Sequence, residues 1–252
     1  MTLPPFLLAG FWGLVGGSAL ILGALIGYAV RLPQRLIAGV MALGAGVLIS
    51  AVAFELVDEA YRKGGGVAAG LGLSVGALVY TAGNILVSRS GARHRKRSGS
   101  NPDESQAAGG GGLAIAIGAL LDGIPESIVI GISIVGGHAV SIATVAAVFL
   151  SNVPEGLSSA AGMKKAGRSR RYVFGVWTGI ALASGLAAMI GNAALAGASP
   201  EVIAIITTIA AGAILAMIVD TMVPEATEQV HEATGLIAAL GFFISFLLSQ
   251  LD

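Results

Sequence analysis

Cysteine is absent from the 252-residue chain, and charged side chains make up only 11% of it. Without cysteine, the protein has neither a disulfide framework nor a thiolate site for soft metals. Hydrophobic residues account for 55% of the chain and its mean hydropathy is +0.87, which is more apolar surface than a soluble domain of this length can bury. The composition therefore predicts an integral membrane protein. The formal net charge of zero gives no reason to expect a nucleic-acid partner.

Apolar runs separated by polar breaks divide the chain into eight stretches, most of them close to the roughly 20 residues that a helix needs to cross a bilayer. None alternates as the strands of a membrane barrel do, so we predict an all-α, polytopic protein that forms a single transmembrane domain over residues 1–252. The first run lacks a basic leader and is too long for the core of a signal peptide, so we expect a membrane span there. The eight expected spans lie near residues 6–30, 36–60, 66–88, 111–136, 139–163, 172–197, 201–225 and 234–251.

Lys and Arg are concentrated in alternate connections between the expected spans. Twelve of the fourteen lie in the first, third and fifth connections, and the other two are Arg62 and Lys63 in the second. Basic connections stay in the cytoplasm, which predicts that both termini lie outside. The short loops and the absence of a targeting segment favour a prokaryotic inner (plasma) membrane.

The third connection, about residues 89–110, combines basic residues with Ser, Gly, Asn and Pro. This composition predicts a mobile cytoplasmic loop. Its simplest role is to anchor the topology, and the alternatives are a lipid-headgroup contact or weak metal collection by His94.

Carboxylates occur inside the expected spans, where each costs about 2.5 to 3.5 kcal/mol on insertion scales. No expected span has a central Lys or Arg to neutralise them. The acids must therefore be protonated, hydrogen-bonded in a polar cavity, or matched by a cation from outside the protein. They are Glu55, Asp122, Glu126, Glu155 and Asp220.

The spacing of polar residues brings two of these acids together. Asp122 and Glu126 are four residues apart, and Ser151 and Glu155 repeat that spacing in the next span, with Asn152 beside them. The two spans are antiparallel, so both glutamates lie at similar depth. Each glutamate also follows a proline, which removes an N–H and exposes carbonyl oxygens as further ligands. The five residues predict a cation site near mid-membrane.

The other acids leave two interpretations open. Glu55 is either a protonated, structural hydrogen-bonding group or part of the cation pathway. Asp220 has either a helix-end role or a pathway role. His138 and His231 are expected at solvated turns.

These segments resemble the ZIP (Zrt/Irt-like) family of divalent metal transporters, and the chain looks like a divergent bacterial-type member. The likeness covers almost the whole length: eight spans, outside termini, a variable loop after the third span, and segments 45–56 and 211–220. It implies helices arranged as three, two and three spans with pseudo-symmetry, a binuclear-type metal site between the fourth and fifth spans, and a homodimer. The family moves zinc, iron, manganese or related ions inward, so the metal is a substrate and no prosthetic group is expected.

The chain departs from the family's pattern at the metal positions. Where the family's fourth span usually reads His-Asn-x-Pro-Glu-Gly, this chain has Asp122 and Gly123 in the first two positions and Ser127 in the last. Ser151 replaces the usual histidine of the fifth span, and Ala188 replaces a glutamate of the sixth. Oxygen ligands suit harder ions such as manganese or magnesium. We therefore predict a single effective site with a weaker zinc preference than histidine-bearing relatives have.

The residues favour a divalent-cation carrier in which Glu126 and Glu155 bridge the ion and Asp122 is the third anion. One alternative is a proton- or sodium-coupled carrier of a small organic solute, although the polar face lacks a basic or aromatic group to hold one. Another is a non-transporting relative that senses metal or serves as a scaffold. No His, Lys or Ser pattern activates Asp122 and Asp220 as an acid pair, so no enzymatic activity is expected.

Overall fold

The computed structural model describes residues 3–89, 111–137 and 139–250, and every regular element in these ranges is helical. A backbone in lipid must bond all its polar groups internally, which a helix does within one segment. Five helical runs are long and apolar enough to cross a membrane: Pro5–Ala29, Gln34–Val87, Arg170–Leu195, Pro200–Glu228 and His231–Ser249. The all-α prediction is confirmed for the described residues, and these runs are compatible with an integral membrane protein.

In chain order the helices are α1 (Pro5–Ala29), α2 (Gln34–Ala51), α3 (Asp58–Val87), α4 (Gly111–Ser133), α5 (Ile142–Lys165), α6 (Arg170–Leu195), α7 (Pro200–Met217), α8 (Val223–Val230) and α9 (Thr234–Ser249). Two π-helical segments interrupt long runs, Val52–Val57 between α2 and α3 and Ile218–Met222 between α7 and α8. Short 3₁₀ turns occupy Val135–Gly137 and His231–Ala233.

The second and third expected spans are joined in the structure. The helical run Gln34–Val87 is interrupted at Gly65, whose φ of 75° and ψ of 173° are not helical. Glycine adopts this conformation without steric cost. The eight-span arrangement stays a prediction. The loop expected at about 89–110 lies, apart from Arg89, outside the described residues, and so do His94 and His138.

The helices pack around two apolar clusters. One lies among α2, α3, α7 and α8, with Met41, Tyr80 and Met222 buried in it. The other lies among α1, α4, α5 and α6, with Leu20 and Trp177 at its centre. Smaller apolar clusters lie between α4 and α5 and between α2 and α5.

Glycines allow close backbone contact between α1 and α5. A methyl group on Gly23 would overlap the carbonyl oxygen of Val153, and one on Gly156 would overlap that of Leu20. Small residues at such crossings are typical of helices packed in membranes. The two contacts hold α1 against the turn of α5 that contains Glu155. Reciprocal glycine contacts occur between α2 and α9, at Gly46 and Gly241, and between α3 and α7, at Gly76 and Gly212.

Alternate connections gather at opposite ends of the bundle. At one end, the Lys164 ammonium donates to the Tyr28 carbonyl oxygen at 2.6 Å, which joins the end of α5 to the end of α1. At the other end, Glu59, Gly136 and Gly197 line one cavity, so the second, fourth and sixth connections meet there. This arrangement is the one that alternating spans require. The side of the membrane that each end faces stays a prediction.

Candidate functional site

Asp122 and Glu126 lie on one face of α4, and each is only 1% exposed. The Tyr80 hydroxyl of α3 donates to Asp122 Oδ1 at 2.6 Å. A hydrogen bond to a carboxylate is short and about twice as strong as one between neutral groups. Asp122 is therefore oriented toward α3, and this bond connects α4 to the first apolar cluster.

Ser151 brings α5 close to Glu126. Its hydroxyl lies 3.4 Å from Glu126 Oε1 and 2.9 Å from the Val148 carbonyl oxygen. A hydroxyl has one proton, so the two acceptors compete for it. Glu155 lies one turn further along α5 and is 4% exposed. The two predicted polar faces thus meet through Ser151 and Glu126.

The remaining predicted ligand, Asn152, is oriented toward α1. Its Nδ2 donates to the Gly16 carbonyl oxygen at 3.1 Å, and the residue is buried. Across the described ranges, no group of three or more His, Cys, Asp or Glu side chains is arranged to hold a metal ion. The five predicted ligands occupy neighbouring turns of α4 and α5, where Asp122 is also bonded to α3 and the Asn152 amide nitrogen to α1. That they bind one ion together stays a prediction.

Glu55 and Asp220 each lie in a π-helical segment. The Ser141 hydroxyl donates to Glu55 Oε2 at 3.2 Å, and the Asn84 amide donates to Asp220 Oδ2 at 3.4 Å. Glu55 is half-buried and Asp220 is exposed. Thus Glu55 contacts the start of α5 and Asp220 contacts α3. Single π turns are frequent at functional sites, because the wider turn redirects side chains.

Glu225 is a buried acid that the sequence analysis does not name as a candidate. It lies on α8, is 5% exposed, and accepts a hydrogen bond from the Ser158 hydroxyl at 3.3 Å. The sequence contains a signal for it: the tripeptide Val-Pro-Glu occurs twice, ending at Glu155 and at Glu225.

One side of the molecule thus carries a series of acid and hydroxyl contacts along α5. Three serines of α5 and its N-cap donate to carboxylates from three other elements. At a rise of 1.5 Å per residue the contacts extend over about 25 Å. We call them the α5 carboxylate series: Glu55 with Ser141, Glu126 with Ser151, and Glu225 with Ser158.

A cavity of about 670 Å³ lies at the end of the bundle where α5 begins. Glu55, Ser141 and Thr144 line it, together with the ion pair between Lys63 and Glu59, whose charged atoms are 2.5 Å apart. The cavity also reaches Val129, which is three residues from Glu126 on α4. It therefore leads from the bundle end to within about one helical turn of the buried acids.

No protein-family model matches the chain, and no curated protein matches its sequence. The ZIP resemblance therefore stays a prediction, and a functional assignment depends on the geometry of the site itself.

Proposed function

We propose that the protein carries divalent cations across a membrane, with the α5 carboxylate series as the route. The observation that carries this proposal is the series itself: acids from three elements meet hydroxyls at three depths of one helix. Ionisable groups at membrane depth that line a common face are typical of ion pathways.

The distribution of charge supports a cation as cargo. The sequence has no Lys or Arg between residues 98 and 163 or between residues 172 and 252, and these stretches contain Glu126, Glu155 and Glu225. The serine hydroxyls orient the carboxylate oxygens but are neutral. Each buried carboxylate costs about 2.5 to 3.5 kcal/mol on insertion scales, and a divalent ion offsets two of them in a low-dielectric site.

The cavity supplies access to the route from one end. An ion in it meets the Glu55 carboxylate and the hydroxyls of Ser141 and Thr144 first. Ser151 is seven residues beyond Thr144 on α5, about 10 Å deeper and on the same face. Ser158 follows seven residues later, beside Glu225. Hydroxyl and carboxylate oxygens thus recur every two turns along the path.

The ligand atoms favour hard ions. Carboxylate, hydroxyl and carbonyl oxygens suit manganese and magnesium, whereas imidazole and thiolate favour zinc, iron and copper. Carboxylates also occur as zinc ligands, so zinc and iron remain candidate cargo. We propose manganese or magnesium as the preferred cargo and zinc as a weaker substrate.

The proposed membrane arrangement has eight spans in the ZIP-like order of three, two and three, with both termini outside a prokaryotic inner membrane. The break at Gly65 supports two spans within the run Gln34–Val87. The gathering of alternate connections at opposite ends supports alternating orientation. The same resemblance makes a homodimer part of the proposal.

A proton- or sodium-coupled carrier of an organic solute is the second candidate. The cavity volume of about 670 Å³ favours it, since small-molecule sites commonly have that size. Lys63 supplies the basic group that the buried face lacks, although it is ion-paired with Glu59. Flux measurements separate the two candidates.

The experiment is metal uptake into proteoliposomes, with manganese, magnesium, zinc and iron each offered alone and in competition. The full-length protein should move manganese or magnesium, and E126Q and E155Q should each abolish that flux. S151A should reduce it, because the hydroxyl then no longer orients Glu126. Metal-dependent stabilisation in detergent reports binding separately from flux.

The matched control is E232Q, which removes an exposed carboxylate from the connection before α9 and should leave flux unchanged. Folded, inserted protein that moves none of these ions would reject the carrier proposal. Metal-dependent stabilisation without flux would instead support the sensor interpretation. Zinc uptake that neither manganese nor magnesium inhibits would reject the preference for hard ions.

A further inference from the structure

The ends of α1, α5 and α6 place three basic side chains over two tyrosine rings. The Lys164 ammonium lies 5.2 Å from the centroid of the Tyr28 ring, and the Arg170 guanidinium lies 5.8 Å from the same centroid. The Arg168 guanidinium lies 5.3 Å from the centroid of the Tyr172 ring. We call these five residues the basic-aromatic cluster.

The cluster concentrates three positive charges at one end of the bundle. Lys164 and Arg170 share one ring, so their charged groups lie no more than about 11 Å apart and can face the same anionic group. Among the described residues, no carboxylate forms an ion pair with Lys164, Arg168 or Arg170, whereas Arg62 and Lys63 at the other end of the bundle are both paired. The surface is complementary to an anion.

An apolar furrow begins beside the cluster and follows α6. Gly175 and Gly179 are exposed, and a methyl group added to either would have no atom within 4 Å other than the adjacent backbone of α6. Leu182 and Leu186 continue this exposed stripe at helical spacing. On α1, the exposed Leu25 lies one turn before Tyr28. An apolar, exposed surface thus adjoins the cationic one.

We propose that the basic-aromatic cluster binds the headgroup of an anionic phospholipid whose acyl chain lies along the α6 furrow. The phosphate offsets positive charge on Lys164 and Arg170, and the Tyr28 ring holds both cations in place. A soluble phosphate has no chain to occupy the furrow, and a zwitterionic lipid lacks the net charge that the cluster attracts. The site is independent of the α5 carboxylate series.

The test is lipid binding to the full-length protein in neutral detergent, measured by native mass spectrometry with phosphatidylglycerol and phosphatidylcholine. Phosphatidylglycerol should bind at least about 10-fold more tightly, and added salt should weaken its binding. The variant K164Q/R170Q should lose roughly 30-fold in affinity for phosphatidylglycerol, since each basic residue contributes about 5-fold.

The control variant R62Q/K63Q removes the same number of charges from the opposite end and should bind phosphatidylglycerol as wild type does. Y28F retains the ring and should bind normally, whereas Y28L should bind more weakly. G179L fills the furrow and should weaken both lipids. If K164Q/R170Q does not fold, the wild-type preference and Y28L still decide the question.

Three outcomes would overturn the proposal. The first is equal affinity of the wild type for the two lipids, and the second is an equal loss in both charge variants. The third is a stable dimer whose interface covers the α6 stripe and excludes phosphatidylglycerol, which would make this face a contact between two copies of the chain.

Discussion

Two tyrosine hydroxyls, each beside a different apolar cluster, are in opposite situations. The Tyr80 hydroxyl donates to the Asp122 carboxylate at 2.6 Å, whereas the Tyr172 hydroxyl is buried without a hydrogen-bond partner among the described residues. A buried acceptor that loses its donor costs free energy, particularly when it is charged. Removing a buried hydroxyl that has no hydrogen-bond partner breaks no hydrogen bond.

We therefore expect Y80F to lower the free energy of unfolding by about 1 to 3 kcal/mol, while Y172F leaves it unchanged or raises it slightly. Thermal unfolding in detergent, followed by circular dichroism, measures both. The two substitutions remove the same atom, so the comparison isolates the Asp122 hydrogen bond. Equal melting temperatures would mean that Asp122 does not depend on Tyr80.

At this scale the sequence predicts which acids lie in spans but not which groups they contact. The four-residue spacing is sufficient to place Asp122 and Glu126 on one face. It cannot identify Tyr80, because that contact joins residues 42 positions apart and depends on how α3 packs. For the same reason the sequence predicts Asn152 as an oxygen ligand but not the bond that its amide nitrogen makes to α1.

At the scale of elements, the contact between α1 and α5 depends on glycine. Gly156 follows Glu155 directly and lies against the Leu20 carbonyl oxygen of α1. Gly179 of α6 is also helical, but apart from the adjacent backbone of α6 no atom lies within 4 Å of the position of an added methyl group. The first glycine is required by packing, and the second is not.

The two glycines should respond to alanine with opposite signs. G156A should destabilise the protein by about 1 to 3 kcal/mol because the added methyl forces α1 and α5 apart. G179A should stabilise it by about 0.5 to 1 kcal/mol, since alanine is the better helix former. Melting temperatures in detergent give both signs. A neutral G156A would show that the helices shift without cost.

Apolar runs predict most helices to within a few residues: the expected span 172–197 corresponds to Arg170–Leu195, and 6–30 to Pro5–Ala29. The π-helical segments at Glu55 and Asp220 were not predicted. A π turn adds one residue to a helix without changing its composition, so an apolar pattern does not distinguish it from a regular turn. The helical run that continues past residue 60 was not predicted, because the basic pair Arg62 and Lys63 is typical of a loop. In the structure both residues form ion pairs on a helix.

At the scale of the molecule, the helix contacts form matching pairs. α1 packs on α5 as α6 packs on α4, and α3 packs on α7 as α9 packs on α2. The two π-helical segments also correspond, since one follows α2 and the other follows α7. Exchanging the first three expected spans with the last three, in order, and the fourth with the fifth reproduces these contacts. This symmetry supports the proposed arrangement of three, two and three spans, which apolar runs alone do not predict.

The proposed eight spans and the distribution of basic residues together predict the side on which each connection flanking α6 lies. Basic connections stay in the cytoplasm, so residue 166, in the basic fifth connection, should be inside and residue 196 outside. Both positions are exposed alanines, and the wild-type chain has no cysteine to react. A196C should therefore react with a membrane-impermeant maleimide in intact cells, and A166C only after permeabilisation. The substitutions change neither charge nor much volume, so they leave the topological signals in place.

The reverse pattern would keep α6 as a span but invert the molecule, which would place the cavity on the cytoplasmic side and reverse the proposed direction of uptake. Reaction of both cysteines from the same side would mean that α6 does not cross the membrane, and the eight-span proposal would fail with it.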